Sequence, residues 1–460
     1  MQSRTDAAWL RECDIRDVDG RVLCGTFEVS ENRQRPNDRR IGLRVLVLKA
    51  TGDTPQPDAF MPLAGGPGQA ATAFAAMDAR TYADIRRNRD IVLVDVRGTG
   101  GSNPLHCDIA SAPWVSTPDV MPPGAIRACR ATLAQRADLR MYTTEQIARD
   151  LDELRAALGI ERWNVFGASY GTRLAQEYTR AFGARVRTLT LHGIAAPSLA
   201  IPLPYARDAQ ATVDRLFDEQ TRKDLVAVLA ALAKAPVKVS IESLEVMVSA
   251  GNLSEALRHM LYNAAAAPAA ADIVRAAAAG DYTPAAREVL RERRTFTHDF
   301  ALGLFLSVTC AEDVARIDET AISMATRDTF LGDYRVRQQM EACRNWDVGT
   351  APRTLATPLT SNVPALLISG EVDPVTPARM GAEVARTLPN ARHVVLARHG
   401  HTLSIGRGCM RAALARFVES ATTAGIDFSC VPLVTRHWFT MPGSTFTAVN
   451  SENRTLNLEP

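Results

Sequence analysis

Ser169 stands in Gly167-Ala168-Ser169-Tyr170-Gly171, after the apolar stretch WNVF and before TRLAQEYTRAF, a run with helical spacing. A serine hydroxyl is a weak nucleophile until a neighbouring base takes its proton, so its setting matters more than its type. A strand that turns at once into a helix holds such a serine in a strained backbone conformation. Glycines on either side remove the side chains that would collide with the flanking elements. The hydroxyl then projects at the helix N-terminus, where free N–H groups and the helix dipole favour negative charge. The spacing therefore predicts an acyl-transfer nucleophile at Ser169.

The base and its orienting acid are expected further along the chain, in the order Ser…Asp…His. Asp373 follows the apolar strand VPALLIS, in Gly370-Glu371-Val372-Asp373. His401 follows HVVL, in Arg398-His399-Gly400-His401. Glu371 and His399 are the local rivals, and His106 and His192 read as structural. One oxyanion donor is expected from the N–H of Tyr170. The other is expected from the turn Gly65-Gly66-Pro67-Gly68, with Gly65 preferred over Gly66, because glycines let backbone N–H groups approach a substrate. No histidine cluster suggests a metal, and this chemistry needs no metal and no organic cofactor.

These residues require elements to hold them. Ile41 to Leu48, Phe60 to Ala64, Asp90 to Val94, Arg162 to Phe166 and Val186 to Leu191 read as strands, and Thr143 to Leu158 and Thr172 to Phe182 as helices, with Thr144 as the cap of the first. Repeated strand–helix–strand units with apolar strands imply a mostly parallel sheet covered on both faces, an α/β fold. After Pro197 the chain becomes rich in Ala, Leu and Arg with helical periodicity, as in Lys223 to Lys234, Leu253 to Leu261 and Ala285 to Arg293. Strands return at Val363 to Ser369 and His393 to Leu396, and a helix over Cys409 to Ser420 closes the pattern. The expected organisation is a core over 1–197, an all-helical cap insertion over 198–355, the rest of the core over 356–430, and a surface-packed tail over 431–460.

With 460 residues the chain is long enough for a large core and an inserted second unit. Its 46% hydrophobic and 23% charged residues are the balance of a globular protein, and the net charge of +2 argues against a nucleic-acid partner. Arginine clusters at 33–40 and 291–294 read as solvated surface. No apolar run reaches the ~18 residues of a membrane span. The stretch MQSRTDAAWLREC has no apolar core of a signal peptide, which leaves a cytoplasmic chain or a mature exported one. Eight cysteines, none in a zinc spacing, favour export. Proximity suggests the pairs Cys13 with Cys24, Cys107 with Cys129, Cys310 with Cys343, and Cys409 with Cys430. Asn252-Leu-Ser and Asn453-Arg-Thr fit the glycosylation triplet.

Taken together, Ala64-Gly-Gly-Pro-Gly68, Asp95-Val-Arg-Gly-Thr-Gly-Gly-Ser102, Gly167-Ala-Ser-Tyr-Gly171, Gly370-Glu-Val-Asp-Pro-Val-Thr-Pro377 and Gly400-His401 resemble the motifs of the prolyl aminopeptidase and tripeptidyl aminopeptidase group of α/β-hydrolases. The resemblance implies an α/β-hydrolase fold and a serine exopeptidase acting on peptides with a free N-terminus beneath a helical cap. Cys310-Ala-Glu-Asp313 is similar to a segment of the secreted tripeptidyl-type branch, which implies disulfides and a periplasmic or secreted protein. An aminopeptidase needs carboxylates for the substrate α-ammonium, and Glu312, with Asp313 behind it, are the residues expected to supply them. The chain departs from the prolyl enzymes at Ala64, where they carry His, and has Val96 where Gln is common. Both departures lean toward the tripeptidyl-like branch. The alternative activity with the same triad is that of a carboxylesterase or lipase.

Overall fold

Apolar, β-branched strands whose residues alternate between two covered faces build the centre of the protein. A computed structural model of the chain describes residues 7–401, 405–406 and 408–429. Its strands are β1 (Arg11–Glu12), β2 (Val22–Ser30), β3 (Arg40–Leu48), β4 (Ala59–Leu63), β5 (Ile91–Val94), β6 (Trp163–Ala168), β7 (Val186–His192), β8 (Val237–Ile241), β9 (Leu244–Val248), β10 (Ala365–Gly370) and β11 (Ala391–Leu396). One sheet runs β1-β2-β3-β5-β4-β6-β7-β10-β11. The pairs from β1 to β5 are antiparallel, and all pairs from β5 through β11 are parallel.

The two faces have separate apolar cores. Val47, Val92, Val165, Leu189 and Leu367 point to one face, where Leu151 and Leu154 of the helix Thr144–Ala157 and Leu174 and Tyr178 of Tyr170–Phe182 cover them. Leu46, Leu93, Phe166 and Ile368 point to the other, beneath Ala75 and Tyr82 and beneath Leu414 and Phe417 of the helix Gly408–Ser420. Adjacent residues of one strand thus serve opposite cores, which is why these strands read as continuous apolar runs.

The helix over 144–157 is capped by Thr143, whose side chain accepts from the Gln146 N–H. Thr144, the expected cap, is fully buried one residue later and donates from both its N–H and its hydroxyl to Glu312. β2, which shows no continuous apolar run, pairs along its whole length with β3.

Between β7 and β10 the chain is mainly helical, but not wholly so. Val237–Ile241 and Leu244–Val248 form an antiparallel hairpin, a correction to the all-helical expectation. The residues VKVSI and LEVMV alternate with period two, and the turn between them places Glu242 at φ 56°. The hairpin and the helices Tyr205–Leu216, Glu219–Lys234, Ala250–Met260, Ala267–Ala278 and Thr283–His298 share an apolar cluster that includes Val213, Leu225, Leu257 and Val289. The helix Leu302–Glu312 is buried on every side, and its Leu304, Leu306 and Val308 belong to the core of the sheet instead.

Three expected cysteine pairs are disulfides: Cys13–Cys24, Cys107–Cys129 and Cys310–Cys343. Cys430, the expected partner of Cys409, lies outside the described residues, as do the 431–460 tail and Asn453. Asn252 is 1% exposed and closes a capping box with Ser249, so its triplet is not open to a glycan. Arg293, expected at the surface, is buried and donates to the carbonyls of Trp114, Thr117 and Asp119. No helix among the described residues is long and apolar enough to cross a membrane.

Candidate active site

Parallel strands end at a common edge, and the loops that leave that edge carry the chemically interesting side chains. In register, Ala168 of β6 stands opposite His192 of β7, and Gly370 of β10 opposite Leu396 of β11. Ser169 follows β6 directly, with φ 55° and ψ −122°, a conformation that costs a non-glycine residue of order 1–3 kcal/mol. Its N–H donates to the His192 carbonyl at 2.8 Å. A methyl group on Gly167 would run into the Gly171 carbonyl, and one on Gly171 into the Leu63 carbonyl, so both glycines of the pentapeptide are required by close approach.

The loops after β10 and β11 are joined by backbone hydrogen bonds, Glu371 N–H to the Leu396 carbonyl and Val372 N–H to the His399 carbonyl, both 3.0 Å. That join sets His401 against Asp373, with Nδ1 to Oδ2 at 2.8 Å. The Asp373 carboxylate also accepts from the N–H groups of Val375 and Thr376 and from the Thr376 hydroxyl. Burial pushes the Asp373 carboxyl up, but the His401 charge and these donors outweigh it and hold the group below its ordinary value. Nδ1 is thereby committed to Asp373, which leaves Nε2 as the ring atom free to exchange a proton.

The rivals are otherwise engaged. Glu371 is bonded by the Arg398 N–H and paired with Arg215, and His399 Nδ1 is 2.8 Å from the Ala397 carbonyl. His106 Nδ1 is 3.1 Å from the Phe300 carbonyl. His192 is pushed down to about 3, by burial first and then by the His401 charge, so it is a neutral ring beside the site.

Gly193 lets His401 sit where it does. Its φ is 62°, and a Cβ there would lie 3.0 Å from His401 Cε1. Gly193→Ala is expected to strain the backbone and displace the ring, lowering kcat/KM roughly 10- to 100-fold with a small loss of stability. Steady-state kinetics with thermal unfolding on the same sample checks this.

Ser169, Tyr170, Gly65, Gly66 and His401 line one cavity of about 960 Å³. Tyr170 is the first residue of its helix, so its N–H has no intrahelical acceptor. A Cβ on Gly65 would lie 3.1 Å from Ser169 Cβ, whereas Gly66, at φ 111°, is turned toward Phe300. The far wall comes from the mainly helical segment. Tyr262 meets the His401 ring edge-on at 4.9 Å, and its hydroxyl accepts from Arg258. Phe296 and Phe300 add apolar surface.

Glu312 and Asp313 are absent from this wall, which corrects the expectation that they meet a substrate amine. Asp313 accepts from both terminal nitrogens of Arg173, at 2.8 and 2.9 Å, and from Arg316. Glu312 takes both donors of Thr144, whose hydroxyl is also 2.8 Å from the Tyr170 hydroxyl. Burial pushes Glu312 up to about 7, with Arg173 and Thr144 opposing. These carboxylates bond to Thr144 and to Arg173 of the helix that follows Ser169.

The carboxylates that do line the cavity are Glu292 and Asp78. Glu292 is hydrogen-bonded to His259 Nδ1. Glu255, His259 and Glu292 bring ligand atoms within 4.8 Å of one another. Arg258 and Arg335 already pair with Glu255, however, at 2.6 and 2.9 Å, and hold it below its ordinary value against burial. A donor set with two guanidinium neighbours does not fit a metal cation.

A model of the alpha/beta hydrolase fold family matches residues 78–407. Among curated proteins, the chain is 31% identical over 194 residues to the tripeptidyl aminopeptidase of Streptomyces lividans, covering 38% of this chain and 36% of that one. It is 29% identical over 199 residues to serine protease Hip1 of Mycobacterium tuberculosis (strain ATCC 25618 / H37Rv), covering 39% and 37%. It is 35% identical over 138 residues to a probable proline iminopeptidase of Streptomyces coelicolor, covering 30% and 33%. The matches thus span about a third of the length of these relatives. Among solved structures, proline iminopeptidase of Mycobacterium smegmatis is 16% identical with a TM-score of 0.41, covering 86% of this chain and 98% of that one.

Proposed function

The chain belongs to the alpha/beta hydrolase fold family, and from that premise we propose that it is a serine aminopeptidase, cleaving peptides near a free N-terminus through an acyl-enzyme on Ser169. The observation that carries this reading is the buried Asp373–His401 pair in one cavity with a serine held in a strained turn. The Ser169 hydroxyl attacks the scissile carbonyl while His401 Nε2 takes its proton. Asp373 fixes the ring through Nδ1–H and stabilises the imidazolium. The N–H groups of Tyr170 and Gly65 bind the oxyanion. His401 then gives its proton to the leaving amine, and water hydrolyses the acyl-enzyme by the same proton transfers in reverse.

The hairpin and the helices between Tyr205 and His298 act as the cap that admits the peptide. With Glu312 and Asp313 turned away, Glu292 is the cap carboxylate we assign to the α-ammonium. It faces the cavity and is bonded there by His259 rather than by an arginine. Three disulfides support an oxidising compartment, the periplasm or the exterior.

Acetylating the N-terminus of a cleaved peptide is expected to lower kcat/KM at least about 30-fold, the effect of losing one buried charged hydrogen bond. Glu292→Gln should reduce the activity on the free peptide and shrink that difference. A paired assay of free and acetylated chromogenic tripeptides, with short-chain nitrophenyl esters alongside, measures both. Equal rates on free and blocked peptides, with faster ester turnover, would make the protein an ester hydrolase instead.

A further inference from the structure

Asp78 is the second carboxylate of the cavity wall, and the mechanism above does not use it. It lies on the helix Ala75–Thr81, which follows the Gly65–Gly68 turn. Ala75, three residues before it, and Tyr82, four residues after it, are both buried in the core beneath the sheet. Helical spacing therefore turns Asp78 toward the interior, and the residue is only 7% exposed.

The carboxyl has no hydrogen bond and no ion pair with any described residue. Its proton affinity rises to about 7 through burial alone. Elsewhere in the site every acidic side chain has a donor: Asp373 has His401 and Thr376, Glu292 has His259, and Glu255 has Arg258 and Arg335. The Asp78 oxygens are not sealed from solvent: they open onto the cavity, where a ligand carrying a donor can take the place of water. Phe74, Met77 and Tyr82 line the same cavity beside it in sequence and supply apolar and aromatic surface. That combination, an apolar approach ending in an unshared carboxyl, matches an aliphatic stem ending in a cation. A neutral donor would satisfy one lone pair, whereas a cation also stabilises the charged form of the buried acid.

We propose that Asp78 is a specificity-determining residue, which receives the cationic end of a lysine or arginine side chain in the part of the substrate lodged in the cavity. The proposal rests on the peptidase reading for its substrate but not for its chemistry.

The test compares matched substrates differing only in the cation, with rates normalised to Ser169 sites titrated by a fluorophosphonate. Free-amine tripeptide amidomethylcoumarins carry lysine or norleucine at each of the three positions in turn. The nitrophenyl esters of 6-aminohexanoic and heptanoic acids form a second pair that needs no peptidase activity. In the native protein, lysine should exceed norleucine in kcat/KM roughly tenfold or more at one position, and the amino ester should exceed the plain one. Asp78→Asn should reduce both ratios below about twofold. The same variant should melt about 1–3 °C higher at pH 8, because an unpaired buried charge is gone. A carboxyl with a purely structural role would lower the melting temperature on removal.

Norleucine equal to lysine at all three positions, together with equal esters, overturns the assignment, as does a preference that survives Asp78→Asn. If the variant instead abolishes only the penalty for N-acetylation, Asp78 holds the α-ammonium and the side-chain proposal falls. If no peptide is cleaved but the esters still discriminate through Asp78, the aminopeptidase reading fails while the Asp78 assignment stands.

Discussion

Ser169→Ala is expected to lose roughly 10⁴-fold or more in kcat on any substrate the protein turns over, with almost no change in stability. In the proposed mechanism, removing the hydroxyl removes the acyl-enzyme and leaves the Asp373–His401 pair no proton to accept from a nucleophile. What remains is catalysis by the oxyanion donors and by binding. Stability should hold because the turn does not depend on the hydroxyl: the Ser169 N–H and carbonyl, not its side chain, bond to His192 and to Thr172. Ser169→Gly separates the two roles further. It should be equally inactive but more stable by about 1 kcal/mol, since glycine adopts φ 55°, ψ −122° without the Cβ conflict that serine bears. Fluorophosphonate labelling, turnover of a chromogenic peptide and urea denaturation of the three proteins decide the matter. An alanine variant that keeps most of its rate removes Ser169 from the mechanism.

What could be read in advance divides by the range of the interactions involved. The nucleophile turn, the Asp373 loop and the His401 loop are each made by a few consecutive residues, so their glycines and strand-end positions announce them. The Asp95–Ser102 motif is equally local, and its residues serve the scaffold. Asp95 accepts from Thr72 and Gly101 next to the Gly65–Gly68 turn, and Arg97 is buried between Asp150 and three backbone carbonyls. The direction of Glu312 and Asp313 has no local signal, because Thr144 and Arg173, more than a hundred residues earlier, decide it. Glu292 had no signal of its own, since His259 reaches it from another helix. The period-two pattern of Val237 to Val248 was present in the residues and was masked by the helical runs around it. Asp78 was also within reach, as a charged residue at a core-facing position of an otherwise alanine-rich face.

The buried pair of Arg173 and Asp313 carries the second large effect. Arg173→Ala is expected to cost about 3–5 kcal/mol, because it strands Asp313 without a bidentate partner in a place where the carboxylate has no exposure. Arg316 still reaches Asp313 at 3.2 Å, but it is part-exposed and carries the Pro197 and Leu199 carbonyls as well. Activity should fall with stability, since Arg173 lies on the helix whose first residue offers its N–H at Ser169, and it also lines the cavity. The double variant Arg173→Met with Asp313→Leu discriminates between a required charge and a required filling of space. Replacing both members of a buried pair by apolar groups of similar size is often neutral, whereas removing one is not. The double variant should therefore regain most of the denaturation midpoint lost by Arg173→Ala. Turnover recovered along with it would mean that the pair only props the helix against Leu302–Glu312. If stability returns and turnover does not, the Arg173 charge itself acts on what the cavity holds.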